Sequence, residues 1–131
     1  MKKAILIIQF LIFQNIVGQT YNDRVLIYIE NSVKNFEIIE NSNKTNVDEL
    51  NNELENIGAT KIRQWLPNAR PTDRDGDTYL NRYYIIELGS DREDINLILQ
   101  SIENVGCVYS SETMIIMKPD YIPNDQRWNQ Q

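Results

Sequence analysis

A five-residue pattern that recurs after 48 positions constrains this chain more than any other feature of its sequence. Leu54-Glu55-Asn56-Ile57-Gly58 is echoed by Ile102-Glu103-Asn104-Val105-Gly106, and each copy runs into a β-favouring stretch. Ahead of each copy lies a helical stripe. Val47, Leu50, Leu54 and Ile57 recur at spacings of three and four, as do Ile95, Ile98, Leu99 and Ile102, which puts each set on one helix face. Asn46 with Glu49, and Ser90 with Glu93, stand in capping-box positions before the two stripes. Gly58 and Gly106 close them, Gly58 being well placed for the left-handed conformation that ends a helix.

Extended segments flank the stripes. Arg24 to Ile29 (RVLIYI), Thr60 to Leu66 (TKIRQWL), Tyr83 to Leu88 (YYIIEL) and Val108 to Ser111 are rich in β-branched and aromatic residues. Thr113 to Met117 (TMIIM) continues in the same manner. The polar stretch Asn31 to Asn46 holds an apolar patch at Phe36, Ile38 and Ile39, which either extends the first strand or forms a hairpin arm. Asn68 to Thr78 reads as a loop. Two βαβ halves in series give β-α-β-β-α-β, an α+β, ferredoxin-like plan. Both helices would cover one face of a four-stranded antiparallel sheet. The other face would stay open, an exposure that asks for a partner in so small a domain.

Residues 1–18 stand apart from this plan. Lys2 and Lys3 precede an apolar run, Ala4 to Phe13, broken only by Gln9, and Gly18 offers a small exit residue. These are the three parts of a secretory signal peptide, and the run is too short and interrupted to favour a membrane span. The expectation is a secreted or periplasmic chain with no membrane attachment after cleavage. The first 18 residues carry two lysines and no acid, so the rest of the chain holds −8 against −6 for the whole. That balance argues against a nucleic-acid partner, which needs clustered Lys and Arg. With no histidine in the chain, His-based triads and most zinc sites are excluded. Cys107 is alone, so no intramolecular disulfide forms, and it reads as a small buried hydrophobe. No cofactor is expected.

Few constellations carry chemistry. Asp73, Asp75 and Asp77 alternate around Gly76 in DRDGD and offer oxygen ligands to calcium. The position of an EF-hand's closing glutamate is held by Tyr84, and a solvated turn is the plainer reading. The acids around both helices fit capping and solvated faces. Trp65, Tyr83 and Tyr84 resemble a base-stacking platform, but the negative charge favours core or partner-facing aromatics. Asn43-Lys44-Thr45 matches a glycosylation sequon. The C-terminal stretch is the most informative. From Glu112 it runs through an apolar segment to Pro119 and Pro123, a pattern suited to a chain lying along something else as a strand and unsuited to a buried helix.

Tyr121-Ile-Pro-Asn-Asp-Gln-Arg-Trp-Asn-Gln-Gln131 resembles the junction at which secreted bacterial subtilisin-like serine proteases pass from propeptide to catalytic domain. Leu80 to Leu88 is similar to the third strand of such propeptides, and Val108-Tyr-Ser-Ser-Glu112 to their last strand, with Ser111 and Thr113 where Ala and Pro are usual. The resemblance covers roughly Arg24 to Gln131 and stops short of any Asp, His or Ser region of a protease. It implies a propeptide-like domain over 19–112 and an extended tail over 113–131, leading toward an absent catalytic domain. The implied function is that of an intramolecular chaperone and temporary inhibitor without enzymatic activity of its own. Its partner would be a subtilisin-like protease domain, in cis or in trans. The open sheet face would pack on two protease helices, and the tail would enter the substrate cleft in a product-like manner. Glu112 would then lie near the protease's helix N-termini and Thr113, Met114, Ile115, Ile116 and Met117 in the non-primed subsites. Lys118 would belong to the same binding tail, with the scissile bond somewhere between Met117 and Tyr121. The alternative is a secreted stand-alone ferredoxin-like module that binds a protein or peptide, or a free protease inhibitor.

Overall fold

The computed structural model describes residues 19–116, of which Thr20–Met114 form one compact unit. The expected signal peptide and the tail from Met117 onward lie outside the described residues. The elements are β1 (Thr20–Ile29), α1 (Asp48–Asn56), β2 (Lys61–Gln64), β3 (Arg74–Asp75), β4 (Thr78–Tyr79), β5 (Tyr83–Glu87), α2 (Ile95–Glu103) and β6 (Val108–Ile115). The fold is α+β, with two helices and a four-stranded antiparallel sheet in the order β2-β5-β1-β6, while β3 and β4 pair separately.

β1 and β5 are the two interior strands of the sheet. Val25, Leu26, Ile27, Tyr28 and Ile29 are all buried, so β1 is covered on both faces, as its unbroken apolar run allows. Successive side chains point to opposite faces. Val25, Ile27 and Ile29 join Ile62 and Ile86 in one core with Leu50 and Leu54 of α1 and Ile98 and Ile102 of α2. Phe36 and Ile38 pack against that core from the side, and Ile38 makes one isolated bridge to Thr45. The apolar patch after β1 therefore neither extends the strand nor pairs as a full hairpin arm.

The internal echo has a three-dimensional counterpart. Leu50 and Ile98, Leu54 and Ile102, and Ile57 and Val105 are the paired positions, and all six are buried. Glu53 and Ser101, also 48 apart, hydrogen-bond to each other between the helices, Ser101 Oγ donating.

Neither expected capping box forms. α1 begins at Asp48 behind Val47, with no side-chain cap. Asn46 is occupied elsewhere, accepting from the Glu37 N–H at 3.0 Å and donating to the Asn35 carbonyl. Asn51 reaches back from inside the helix instead. Its Oδ1 accepts from the Thr45 N–H at 2.7 Å and from Thr45 Oγ1 at 3.1 Å, and its Nδ2 donates to the Thr45 carbonyl at 2.8 Å. α2 starts at Ile95 behind Asp94, whose carboxylate is gripped by Arg92 rather than by the helix's own N–H groups. Arg92 also donates to the Ile57 carbonyl at 2.8 Å, which closes the end of α1. At the C-termini Gly58 takes the left-handed conformation, with φ +72°, and the Ala59 N–H donates to the Leu54 carbonyl at 2.8 Å. Gly106 has no positive φ, so the two halves end their helices differently.

The stretch Asn68 to Thr78 is not wholly a loop. Arg74 pairs with Tyr79 and Asp75 with Thr78 across a two-residue turn. Gly76, at φ +58°, is its first central residue, which makes the turn type II′.

A glycine comparison tests these backbone assignments. Gly76 and Gly89 both have positive φ, but a Cβ at Gly89 would come within 2.9 Å of Thr60 Cγ2, whereas nothing lies within 4 Å at Gly76. Gly76→Ala is expected to cost about 1–2 kcal/mol for its backbone alone, and Gly89→Ala more, in urea denaturation of the two variants. Equal midpoints would contradict the close approach of β2 to the end of β5.

Candidate functional site

The register of the sheet defines a second face, opposite the helices. Arg24 stands against Glu87, Leu26 against Ile85, and Tyr28 against Tyr83. On the far side of β5, Lys61 faces Glu87 and Arg63 faces Ile85. Trp65, just beyond β2, donates its N–H to the Tyr83 carbonyl at 2.9 Å. Three rows follow along the strands: charged, apolar and aromatic.

The aromatic row crosses the sheet. Trp65 and Tyr83 have ring centroids 5.5 Å apart, Tyr83 and Tyr28 4.9 Å, and Tyr28 and Tyr109 5.9 Å, with interplanar angles of 76°, 63° and 78°. Edge-to-face pairs of this kind contribute about 0.5–1.5 kcal/mol each beyond burial. Neighbouring rings stand on edge, so the row is a ridge rather than the flat platform on which nucleotide bases stack. Its ends are the exposed members: Trp65 is 36% and Tyr109 69% exposed, while Tyr28 is buried. Burial, reinforced by the charge of Glu112, pushes the Tyr83 phenol above its ordinary pKa.

Leu26 and Ile85 occupy the middle row and are buried. Arg63, opposite Ile85, reaches from the middle row into the charged one, its Nε 2.8 Å from Glu87 Oε1. Arg24 is paired with Asp23 at 2.9 Å and sits 4.5 Å from the centre of the Tyr21 ring. The Arg24 hydrogen bonds hold the Asp23 carboxyl below its ordinary pKa. Lys61 is exposed.

The edges of the sheet are poorer docking sites than its face. On β6 the Ser111 N–H donates to Glu103 at 3.2 Å, and Ser111 Oγ donates to the Leu99 carbonyl at 2.9 Å, so α2 seals backbone that a new strand would need. The other edge, β2, has only four residues and carries Lys61.

Beside the aromatic row the β3–β4 hairpin is moored to the sheet by Tyr28. The Tyr28 hydroxyl donates to Asn31 Oδ1 at 2.7 Å and accepts from the Tyr79 N–H at 3.0 Å, and Asn31 Nδ2 donates to the Asp77 carbonyl at 3.1 Å. A polar cavity of about 550 Å³ opens here between Lys34, Asp77, Tyr79 and Arg82.

The sequence-derived candidates divide. Of the three singled-out aromatics, Trp65 and Tyr83 come together, whereas Tyr84 lies on the helix side, 4.8 Å from Phe36. Tyr28 and Tyr109 complete the row and were missed. The signal for Tyr28 was its place in the every-second-residue series Arg24, Leu26, Tyr28, hidden inside an apolar run. Glu112, Thr113, Met114 and Ile115 all lie on β6, which continues through the expected domain boundary at 112. Glu112 is exposed, Thr113 and Met114 are half-buried and Ile115 is 64% exposed. Ile116 donates its N–H to the Gln19 carbonyl at 2.9 Å. Met117 and Lys118 lie outside the described residues.

Asp73 accepts from the Arg70 N–H at 2.8 Å, Asp75 sits on β3, and among the described residues no three His, Cys, Asp or Glu gather to hold a metal ion. Thr45, the hydroxyl of the sequon, is buried and bonded to Asn51. Cys107 is buried, which pushes its thiol pKa up and keeps it from reacting as a thiolate. No family model matches the chain, and no curated protein or solved structure matches it either.

Tyr28→Phe removes the mooring of the hairpin without touching the ring contacts. Its two hydrogen bonds predict a loss of about 1–3 kcal/mol. Amide exchange should accelerate at Tyr79 and leave Ile27 and Ile86 protected; uniform acceleration across the sheet would contradict a local mooring.

Proposed function

We propose that this chain is a secreted, propeptide-type chaperone and temporary inhibitor of a subtilisin-like serine protease, with a ferredoxin-like fold. The observation that carries this reading is the helix-free face of the sheet, where an aromatic row ends in exposed Trp65 and Tyr109. Buried aromatic anchors ringed by polar residues are the usual energetic centre of a protein interface. The strand order β2-β5-β1-β6 supports the ferredoxin-like assignment, because it interleaves the two βαβ halves, each holding one strand of the other between its own two. The junction-like sequence from Tyr121 to Gln131 supplies the direction: β6 hands the chain to a tail that enters the protease cleft.

In this reading the chain binds and performs no chemistry of its own. A partner that recognises only the near-native protease lowers the free energy of that state by mass action, and the same contacts block the cleft until the tail is cut away. Glu112 and the residues after it serve as the tether between the docked sheet and the cleft. Thr113, Met114 and Ile115 are still on β6, so a deletion that tests the tail must begin after Ile116 to spare the sheet.

Titration of the full chain against a secreted bacterial subtilisin should give tight, slowly relieved inhibition. Trp65→Ala is expected to weaken it by roughly 30-fold, the effect of losing one interface hot spot. A chain ending at Ile116 should bind the protease yet inhibit poorly. Absence of inhibition by the full chain would refute the proposal, and inhibition indifferent to both changes would refute its mechanism. Binding of a protein or peptide without inhibition would favour the stand-alone module.

A further inference from the structure

The charge of the described body is sorted by side. Asp48, Glu49, Glu53 and Glu55 lie on α1, and Asp91, Glu93, Asp94 and Glu103 lie on or just ahead of α2, with only Arg92 among them as a cation. The helical layer therefore holds a net −7. The outer face of the sheet carries no such excess: Arg24, Lys61 and Arg63 stand with Asp23, Glu87 and Glu112, which sum to zero. Two of those cations are already paired, Arg24 with Asp23 and Arg63 with Glu87. Lys61 is exposed and, among the described residues, makes no ion pair. It stands in the row nearest the start of β1, and β6 runs antiparallel to β1 toward that same end.

From this polarity we infer that the partner seated on the outer face is a folded protein whose docking patch carries carboxylates opposite Lys61, with apolar groups against the aromatic row. The inference rests on the proposed docking through that face and adds the chemistry of what docks. A basic patch would be drawn to the helical layer and held away from the aromatic row. An acidic patch is repelled by the helices and, on the outer face, is attracted by Lys61, Arg63 and Arg24. Charge placed in this way selects the orientation of encounter more than it adds to final affinity. It acts within a Debye length, about 8 Å at physiological salt.

The test compares two variants of the full chain with the same change in net charge, Lys61→Glu on the outer face and Lys44→Glu in the exposed turn before α1. Both are titrated against a secreted bacterial subtilisin, with circular dichroism confirming the fold of each. At 20 mM salt Lys61→Glu should weaken inhibition by roughly 10-fold and Lys44→Glu by less than about 2-fold, a gap that should close by 500 mM. Equal effects of the two variants would overturn the inference, as would tighter inhibition by Lys61→Glu. Unchanged inhibition together with new self-association of Lys61→Glu would also overturn it, since Lys61 would then guard the β2 edge. If the wild-type chain gives no inhibition at any salt, the failure belongs to the proposed function.

Discussion

The burial of β1 on both of its faces is the constraint on which the rest of the molecule depends. Val25, Ile27 and Ile29 give the helices something to pack on, and Leu26 and Tyr28 give the outer face its apolar and aromatic rows. A one-residue slip would exchange the two sets and put Arg24 and Tyr28 under the helices. Such a slip is opposed at both ends of the strand. Glu30 donates its N–H to the Cys107 carbonyl at 2.9 Å, and the Leu88 N–H donates to the Asp23 carbonyl at 2.8 Å. The Tyr28 hydroxyl adds a side-chain check through its long-range hydrogen bond from the Tyr79 N–H.

The two helices and the main strands were legible because each rests on periodicity, a signal summed over many residues. The stripes at Leu50, Leu54 and Ile57 and at Ile95, Ile98 and Ile102 became the buried faces. Capping failed as a local signal because it depends on one side chain with several possible partners. Asn46 found backbone groups in the preceding turn, and Asp94 found Arg92. The β3–β4 hairpin escaped notice because its strands have two residues each, too short for any alternation to register. The candidate site was half legible. Trp65 and Tyr83 announced themselves as aromatics, but a strand buried on both faces shows no contrast between them, so Tyr28 could not be assigned a side. Tyr109 is at the start of β6 and becomes a member of the row only through the order of strands.

A sheet with one face under helices and one face outside offers partners three kinds of surface, and their chemistry is unequal here. At the β6 edge α2 occupies Ser111, the β2 edge is short and charged, and the helical side is a field of carboxylates. The outer face combines large exposed rings, a buried apolar middle and the exposed cation of Lys61. The proposed role as a protease's chaperone and inhibitor places the partner on that face.

The hydrogen bond between Ser101 and Glu53 has a consequence for how the two halves fit. These residues occupy matching places in the repeated pattern, so in a perfect repeat they would be identical and would confront each other across the line that relates the helices. Two glutamates there would repel, and two serines would leave the gap underfilled. With a serine on one helix and a glutamate on the other, a donor meets an acceptor at matching places of the two halves. The halves share a plan, and their difference at this position is what joins them.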